Sequence, residues 1–574
     1  MYGGELIAEV LRSQGVETIF TLCGGHISPI LVAAQERNIK VIDTRHEATA
    51  VFAADAWSRL SSVPGVAVVT AGPGATNTLT AVKNAQLAHS PVIIISGAPA
   101  TALKGHGALQ DVDLVTLFKP VVKWCATVTK VKDLVPLIEK AFLVSQSDAP
   151  GPVFLECPAD LLYEESLVRK AYGLENSAKS LKGKVIGYYL KRHVDSLFKN
   201  TENPRISRRI SSSKMLPDSQ QLSRVAEQLA RAKQPLLLLG NQVVMNTETI
   251  QKTKTAIEML GIPVYLTGMA RGLLGDRHNL LMRHKRKEAL KEADLVILAG
   301  VPCDFRLNYG KHIGRNAVLI SVNRSIEDLR LNCRPKVAMK CDPALFLMKL
   351  AKNLRSTAQR EPWIQDLRQN DIARNKEIEQ QSAIESPNIN PLALFKELNS
   401  LKQPNSIFIA DGGDFVSTAS YILDPPKPMS WLDPGPFGTL GVGAGFALSA
   451  KLLHHDSEIW IIYGDGALGY SLMEFDTFVR HGIPIIALVG NDAGWTQVSR
   501  DQIDIFKNDV GTVLTHTDYH KVAEGLGGIG LYVDEQSAVK DVLIQAQRFA
   551  AEGRAVLINA ILSKSEFRKG SMSM

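Results

Sequence analysis

The stretch that most restricts the fold runs from Trp460 to Gln497. An apolar run over 459–463 breaks at Gly464-Asp465-Gly466, a helical stretch follows, and a second apolar run over 483–489 ends at Asn491-Asp492. Strand, glycine turn, helix, strand is a βαβ unit. Both breaks then fall at the carboxyl ends of neighbouring parallel strands, where open α/β sheets bind ligands. Asp465 comes from one break, and Asn491 and Asp492 from the other. Hard oxygen ligands at two strand ends suit Mg²⁺, which takes phosphate oxygens and waters in its remaining positions. A diphosphate is its natural companion. The same residues also read as a plain turn and a plain loop, so the rest of the chain has to decide.

The alternation seen there recurs throughout. Apolar runs at 18–22, 41–43, 66–70, 91–96 and 152–156 alternate with helical patterns, as do runs at 235–239, 264–267, 295–299 and 318–322, and at 406–410, 459–462, 483–489 and 555–558. This is an α/β chain of three doubly wound parallel-sheet domains. The expected boundaries are 1–166, 218–356 and 388–574, separated by a basic linker at 167–217 and a second linker at 357–387. The length of 574 residues suits that number of domains. Inside the first linker, 185–198 places Ile186, Tyr189, Leu190, His193, Leu197 and Phe198 on one helical stripe, with Lys191 and Arg192 turned partly away. Such a helix either packs on its own protein or lies on a membrane surface.

A net charge of +7 is mild for this size and gives no reason to expect a nucleic-acid partner. Six scattered cysteines without a CxxC pattern suggest reduced, structural thiols. Met1 leads within a few residues into an amphipathic helix rather than a signal peptide. No apolar run reaches the ~18 residues of a membrane-crossing helix.

Several loops after strands carry chemistry. Glu47 follows a strand end at Arg45-His46 and opens a helix of small residues. It either caps that helix or is a buried acid able to hold a proton near neutrality. Asp411-Gly412-Gly413-Asp414 and the glycine-rich 433–445 run follow other strands. Glycine permits close backbone approach there, and a helix start offers N–H groups to phosphate.

The combination of RHE at 45–47, TAGPGATN at 70–77, FGTLGVG at 437–443 and GDG with ND between 464 and 492 resembles the thiamine-diphosphate enzymes of the acetolactate synthase superfamily. The resemblance implies thiamine diphosphate and Mg²⁺ as cofactors, in pyrimidine-binding, central and diphosphate-binding domains. It implies that Glu47 bonds the cofactor's aminopyrimidine ring and assists removal of the thiazolium proton, and that Leu440 wedges under the bent cofactor. It places Asp411, Gly412, Gly413, Gly438, Thr439, Gly464, Asp465, Gly466, Ala467, Asn491 and Trp495 around the cofactor. The metal ligands are Asp465 with Asn491 or Asp492, because the family's Asn-Asn pair is here Asn-Asp. The backbone carbonyl of Ala493 or Gly494 is expected as a further ligand. A homodimer or homotetramer, with the cofactor site at the dimer interface, is implied as well.

Two loops point to a branch. Asp304-Phe305-Arg306-Leu307-Asn308-Tyr309-Gly310 resembles oxalyl-CoA decarboxylase and the 2-hydroxyacyl-CoA lyases more than the RFDDR-like run of acetolactate synthases. Gly107-Ala108-Leu109-Gln110-Asp111 resembles their GAFQE loop and puts Gln110 at the reactive face. With GGHISP, NDAGWTQ and the amphipathic insert, the match is to the animal, acetolactate synthase-like lyases. An acyl-CoA substrate follows, cleaved to formyl-CoA and an aldehyde one carbon shorter; carboligation of 2-oxo acids such as pyruvate is the alternative. His26, Gln110 and Trp495 are candidates near the reacting carbon, and Arg271 and Arg306 could meet CoA phosphates. In that branch a preceding membrane segment anchors the protein to the endoplasmic reticulum, which implies that location here, facing the reducing cytosol.

Overall fold

The computed structural model describes residues 1–175, 180–201, 204–354 and 360–569. Residues 176–179 and 202–203 of the expected basic linker, 357–359 of the second and 570–574 at the end lie outside the described residues. Two compact units emerge, Met1–Ser213 with Gly435–Thr439, and Lys214–Pro434 with Leu440–Met574.

The first unit holds a six-stranded parallel sheet: β1 (Thr18–Leu22), β2 (Lys40–Asp43), β3 (Gly65–Val69), β4 (Val92–Ala98), β5 (Trp124–Thr127) and β6 (Val153–Pro158), in the order β2-β1-β3-β4-β6-β5. The central strands read GVAVV and VIIISGA and are buried throughout, as strands covered on both faces must be. Ile19, Val66, Val68, Ile93 and Leu155 form one core with the helices Gly3–Ser13 and Leu134–Gln146.

The second unit contains two such sheets. The central one has β7 (Pro235–Leu239), β8 (Val264–Leu266), β9 (Leu281–Met282), β10 (Leu295–Ala299), β11 (Val318–Asn323) and β12 (Val337–Lys340), ordered β12-β11-β10-β7-β8-β9. This is the order of dinucleotide-binding folds. The last has β13 (Ile407–Asp411), β14 (Trp431–Leu432), β15 (Ile459–Gly464), β16 (Ile486–Asn491), β17 (Ile529–Val533) and β18 (Val556–Ile561), ordered β14-β13-β15-β16-β18-β17. Counted from its own first strand, its order repeats that of the first sheet, although the two sequences show no close repeat. All pairings in the three sheets are parallel.

Two linker expectations need correction. Most of the second linker is a helix, Glu361–Ser382. Trp363, Ile364 and Leu367 enter the core of the central sheet, while Ile378 enters the core of the last. The helix ties two cores together, and its long polar middle explains why its sequence resembles a connector. Trp363 Nε1 donates to the carbonyl of Pro235 at 3.1 Å. Trp363→Phe orphans that buried carbonyl and leaves a small void where the indole's second ring packed, so it should cost about 1–3 kcal/mol in urea unfolding.

In the first linker the helix spans Leu181–Leu197, but its inward stripe differs from expectation. Leu190 and His193 are half-buried and Val194 and Leu197 fully so, whereas Ile186 and Tyr189 are exposed. Only the C-terminal half has a surface to pack on: Leu197 joins the first core and His193 Nε2 lies 2.8 Å from Thr101 Oγ1. All six cysteines are free, and no described helix is long and apolar enough to cross a membrane.

Candidate active site

In the first unit the chain reverses its winding direction between β1 and β3, and the crevice at such a reversal is where doubly wound sheets bind ligands. The turn after β3, Thr70 to Gly74, is the hub of this crevice. His26, from the loop after β1, sets Nδ1 3.3 Å from Thr70 Oγ1. Burial lowers the His26 pKa, so its ring is neutral at pH 7. Gln110 packs on Gly72, where an added Cβ would lie 2.8 Å from the Gln110 Cβ. Gly72 has φ +57 and Gln110 has φ +64. A non-glycine residue in that region is strained, and such strain clusters at functional sites.

Glu47 completes the group. It opens the helix Glu47–Leu60 and is buried. The capping role belongs to its neighbour, since His46 Nδ1 accepts from the Ala48 N–H at 3.1 Å. Glu47 Oε2 accepts from Asn77 Nδ2 at 3.1 Å, and Oε1 lies against Gly74. Four separated sequence segments thus meet around one turn, with a buried carboxyl held by a neutral amide.

In the second unit the corresponding reversal lies between β13 and β15. Gly412, at φ +147, brings its backbone against that of Gly464, where a Cβ would sit 2.8 Å from the Gly464 nitrogen. Ala467 is buried beside it. Gly413 faces Gln497, and Gly466 lies under the Trp495 ring at a distance that leaves no room for a side chain. Asp411 does something its sequence did not suggest. Its Oδ1 accepts from the Gly441 N–H at 3.0 Å and its Oδ2 from the Gly443 N–H at 2.7 Å. These are amides of the helix start expected to face phosphate, and a fully buried carboxylate requires such donors. Burial nonetheless raises the Asp411 pKa to about 7. Asp411 therefore fixes the loop before Val442–Leu453. Leu440 is half-buried in this unit; Gly438, at φ +65, and Thr439 fall in the segment that belongs to the first unit.

Asp465 starts the short helix after β15 and is buried. Its Oδ1 accepts from the Gly466 N–H at 2.8 Å and its Oδ2 from the Gly494 N–H at 3.1 Å. Burial first, and then the charge of Asp492, raise its pKa to about 7. Asn491 ends β16 and is fully buried. Its Nδ2 donates to Asn559 Oδ1 at 3.1 Å and to the Thr517 carbonyl at 3.3 Å, while its Oδ1 has no hydrogen-bond partner among the described residues. A buried orphan acceptor needs an explanation, and a cation bound at that oxygen would supply one. Asp492 accepts from the Thr496 hydroxyl. Ala493 has φ +53, and its carbonyl accepts from the Leu514 N–H at 2.9 Å, which leaves one lone pair. Among the described residues no three His, Cys, Asp or Glu side chains form a metal cage. The donor set fits Mg²⁺ completed by phosphate oxygens and water.

Arg271 and Arg306 both have partners within the protein. Arg306 forks onto Asp304 at 2.6–3.0 Å. Arg271 donates to the Ser420 carbonyl at 2.8 Å and lies over the Trp431 ring. Arg271 lines a cavity of about 330 Å³ together with Arg283, His284, Lys285, Arg286 and Lys287. Its signal in the sequence is the run of five consecutive basic residues at 283–287.

Three stretches match the thiamine pyrophosphate enzyme family: the N-terminal TPP binding domain over residues 1–117, the central domain over 222–350 and the C-terminal TPP binding domain over 411–560. The chain is 48% identical to a 2-hydroxyacyl-CoA lyase 2 of Danio rerio, over all of this chain and 93% of that protein. It is 46% identical to the protein of the same name in Homo sapiens, over all of this chain and 92% of that one. A probable acetolactate synthase of Mycobacterium bovis is 32% identical, over 98% of this chain and 96% of its own length. With both half-sites and the domain order in place, the chain belongs to the thiamine pyrophosphate enzymes.

Proposed function

We propose that the chain is a thiamine-diphosphate- and Mg²⁺-dependent lyase that cleaves a 2-hydroxyacyl-CoA to formyl-CoA and an aldehyde one carbon shorter, the cleavage step of 2-hydroxy fatty acid α-oxidation. Near-half identity along the whole chain to proteins named for that reaction carries this reading; the acetolactate synthase relative is more distant. Bound thiamine diphosphate supplies the electron sink for carbon–carbon cleavage. Glu47 would meet the cofactor's ring nitrogen through its buried carboxyl and supply general acid–base chemistry there, with Asn77 fixing the carboxyl's direction. His26 would exchange protons with the substrate, and the strained Gln110 would orient it by hydrogen bonds, beside the Thr70–Gly74 turn.

Asp465 and Asn491 hold Mg²⁺. Asn491 Oδ1, which has no hydrogen-bond partner among the described residues, favours Asn491 over Asp492, whose carboxylate already takes the Thr496 hydroxyl. The Gly412, Gly464 and Gly466 backbones, with Ala467 and Trp495, line the diphosphate side. By the family resemblance Gly438 and Thr439 would bind the cofactor and Leu440 would wedge under it. Asp411 acts through the loop it fixes, not by touching the cofactor. The family resemblance supports a homo-oligomer that shares the cofactor between subunits, and a setting at the endoplasmic reticulum.

Mass spectrometry of products from a panel of 2-hydroxyacyl-CoAs tests the reading. Formyl-CoA and the shortened aldehyde should appear only with thiamine diphosphate and Mg²⁺ present. Acetolactate from pyruvate, without cleavage of any acyl-CoA, would overturn it.

A further inference from the structure

The helix Leu181–Leu197 carries a second apolar stripe, on the side opposite the one that packs. Val194 and Leu197 are buried, and Leu197 joins the core of the first sheet. Leu181, Val185, Tyr188 and Tyr189 follow the i, i+4, i+7, i+8 spacing of one face and are 81%, 65%, 69% and 68% exposed. Lys184 and Lys191 flank this stripe on one side, Lys182 flanks it on the other, and Arg192 extends it. All four cations are exposed, and no acidic residue occurs between Leu181 and Arg192. Asp195, the next acid, is held by Arg169 at 2.5 Å.

We propose that this outward stripe docks on an anionic membrane surface, the helix lying in the plane of the lipid headgroups. An exposed apolar centre with cations on both flanks is the arrangement that buries side chains at the acyl boundary and leaves lysine heads among phosphates. Tyrosines suit that boundary, with a ring below and a hydroxyl above. The charge pattern selects this occupant over others. A second copy related by a two-fold axis would set four cations against four. A nucleic acid would meet the apolar stripe first, with the cations turned aside. The surface lies outside both half-sites, so the proposal does not depend on the reaction assigned above.

Flotation of the whole chain with vesicles tests it. The protein should float with vesicles containing phosphatidylserine, much less with phosphatidylcholine alone, and less as salt rises. The variant Leu181→Ser/Val185→Ser/Tyr188→Ser should bind at least about tenfold more weakly, since each side chain lost removes apolar area from the boundary. Lys184→Gln/Lys191→Gln should lower only the phosphatidylserine-dependent part and flatten its salt dependence. These side chains are exposed, so thermal unfolding and product formation should stay at parental values; if the triple variant nevertheless unfolds, Tyr188→Glu alone gives the same reading. Undiminished flotation of the variants overturns the proposal. So does equal binding to both vesicle types, absence of binding to either, or a stripe variant that changes self-association in size-exclusion chromatography instead of lipid binding.

Discussion

Glu47→Gln should lower kcat by roughly 10²–10⁴-fold, the usual range for losing a positioned acid–base group, while KM changes little. The substitution isolates the proton from everything else the residue does. Glutamine has the same length and still offers a carbonyl oxygen to Asn77 Nδ2, so the contact at 3.1 Å can persist. The buried volume beside Gly74 is unchanged. Helix stability suffers little, because His46 provides the cap and a first-turn charge contributes only ~0.3–1 kcal/mol. Thermal unfolding and thiamine diphosphate affinity, the latter within about tenfold, should therefore resemble the parent's, and only turnover should fall. Turnover within a few-fold of the parent would remove Glu47 from the proton path. An Asn77→Ala control separates holding the carboxyl from supplying the proton. It should lower kcat less than Glu47→Gln does, because the acid remains and only its direction loosens.

What the sequence revealed, and what it hid, follows from burial. The inner strands were legible because parallel strands covered on both faces are continuous apolar runs, as in GVAVV of β3 and PLLLL of β7. The strands that escaped notice, β5, β9, β12, β14 and β17, all lie at sheet edges. There one flank is open, runs are short, and side chains such as those of WCAT or IGLYV are only partly buried. Their residues need not announce themselves as apolar.

The site divides in a similar way. Glu47, Asp465 and the glycine loops could be read because strand ends and breaks place them before any contact is known. Direction could not be read. Nothing in the sequence tells that Asp411 turns both oxygens back onto the Gly441 and Gly443 amides, or that Asn491 Oδ1 has no partner among the described residues while Asp492 is satisfied by Thr496. Long-range hydrogen bonds make those choices. The helix Glu361–Ser382 was hidden for another reason: Trp363 and Ile378 belong to different cores, so no single periodic stripe runs its length.

Asp465→Asn should abolish the stabilisation that Mg²⁺ with thiamine diphosphate confers on the parent. Two carboxylates, Asp465 and Asp492, sit close enough in a buried region that each charge opposes the other. Burial and this repulsion push the Asp465 carboxyl up to about 7, so its charged form is disfavoured where no cation offsets it. A divalent cation relieves both effects at once, and the relief is binding energy. Asparagine keeps the side chain's shape and one oxygen, which can still accept from the Gly466 or Gly494 N–H. It loses the charge that makes the site attractive. Changes to groups behind a metal ligand already cost ~10–100-fold in affinity, so removing a charged ligand should cost no less. The parent's unfolding temperature should climb as Mg²⁺ is titrated with thiamine diphosphate present, because a ligand that binds only the folded state stabilises it in proportion to its saturation. The variant's curve should stay flat over the same range. Asn491→Ala should behave alike, since its orphan oxygen is the proposed second ligand, whereas Asp492→Asn should retain most of the shift. If Asp492→Asn abolishes the shift and Asn491→Ala spares it, the metal belongs to the other residue of the pair.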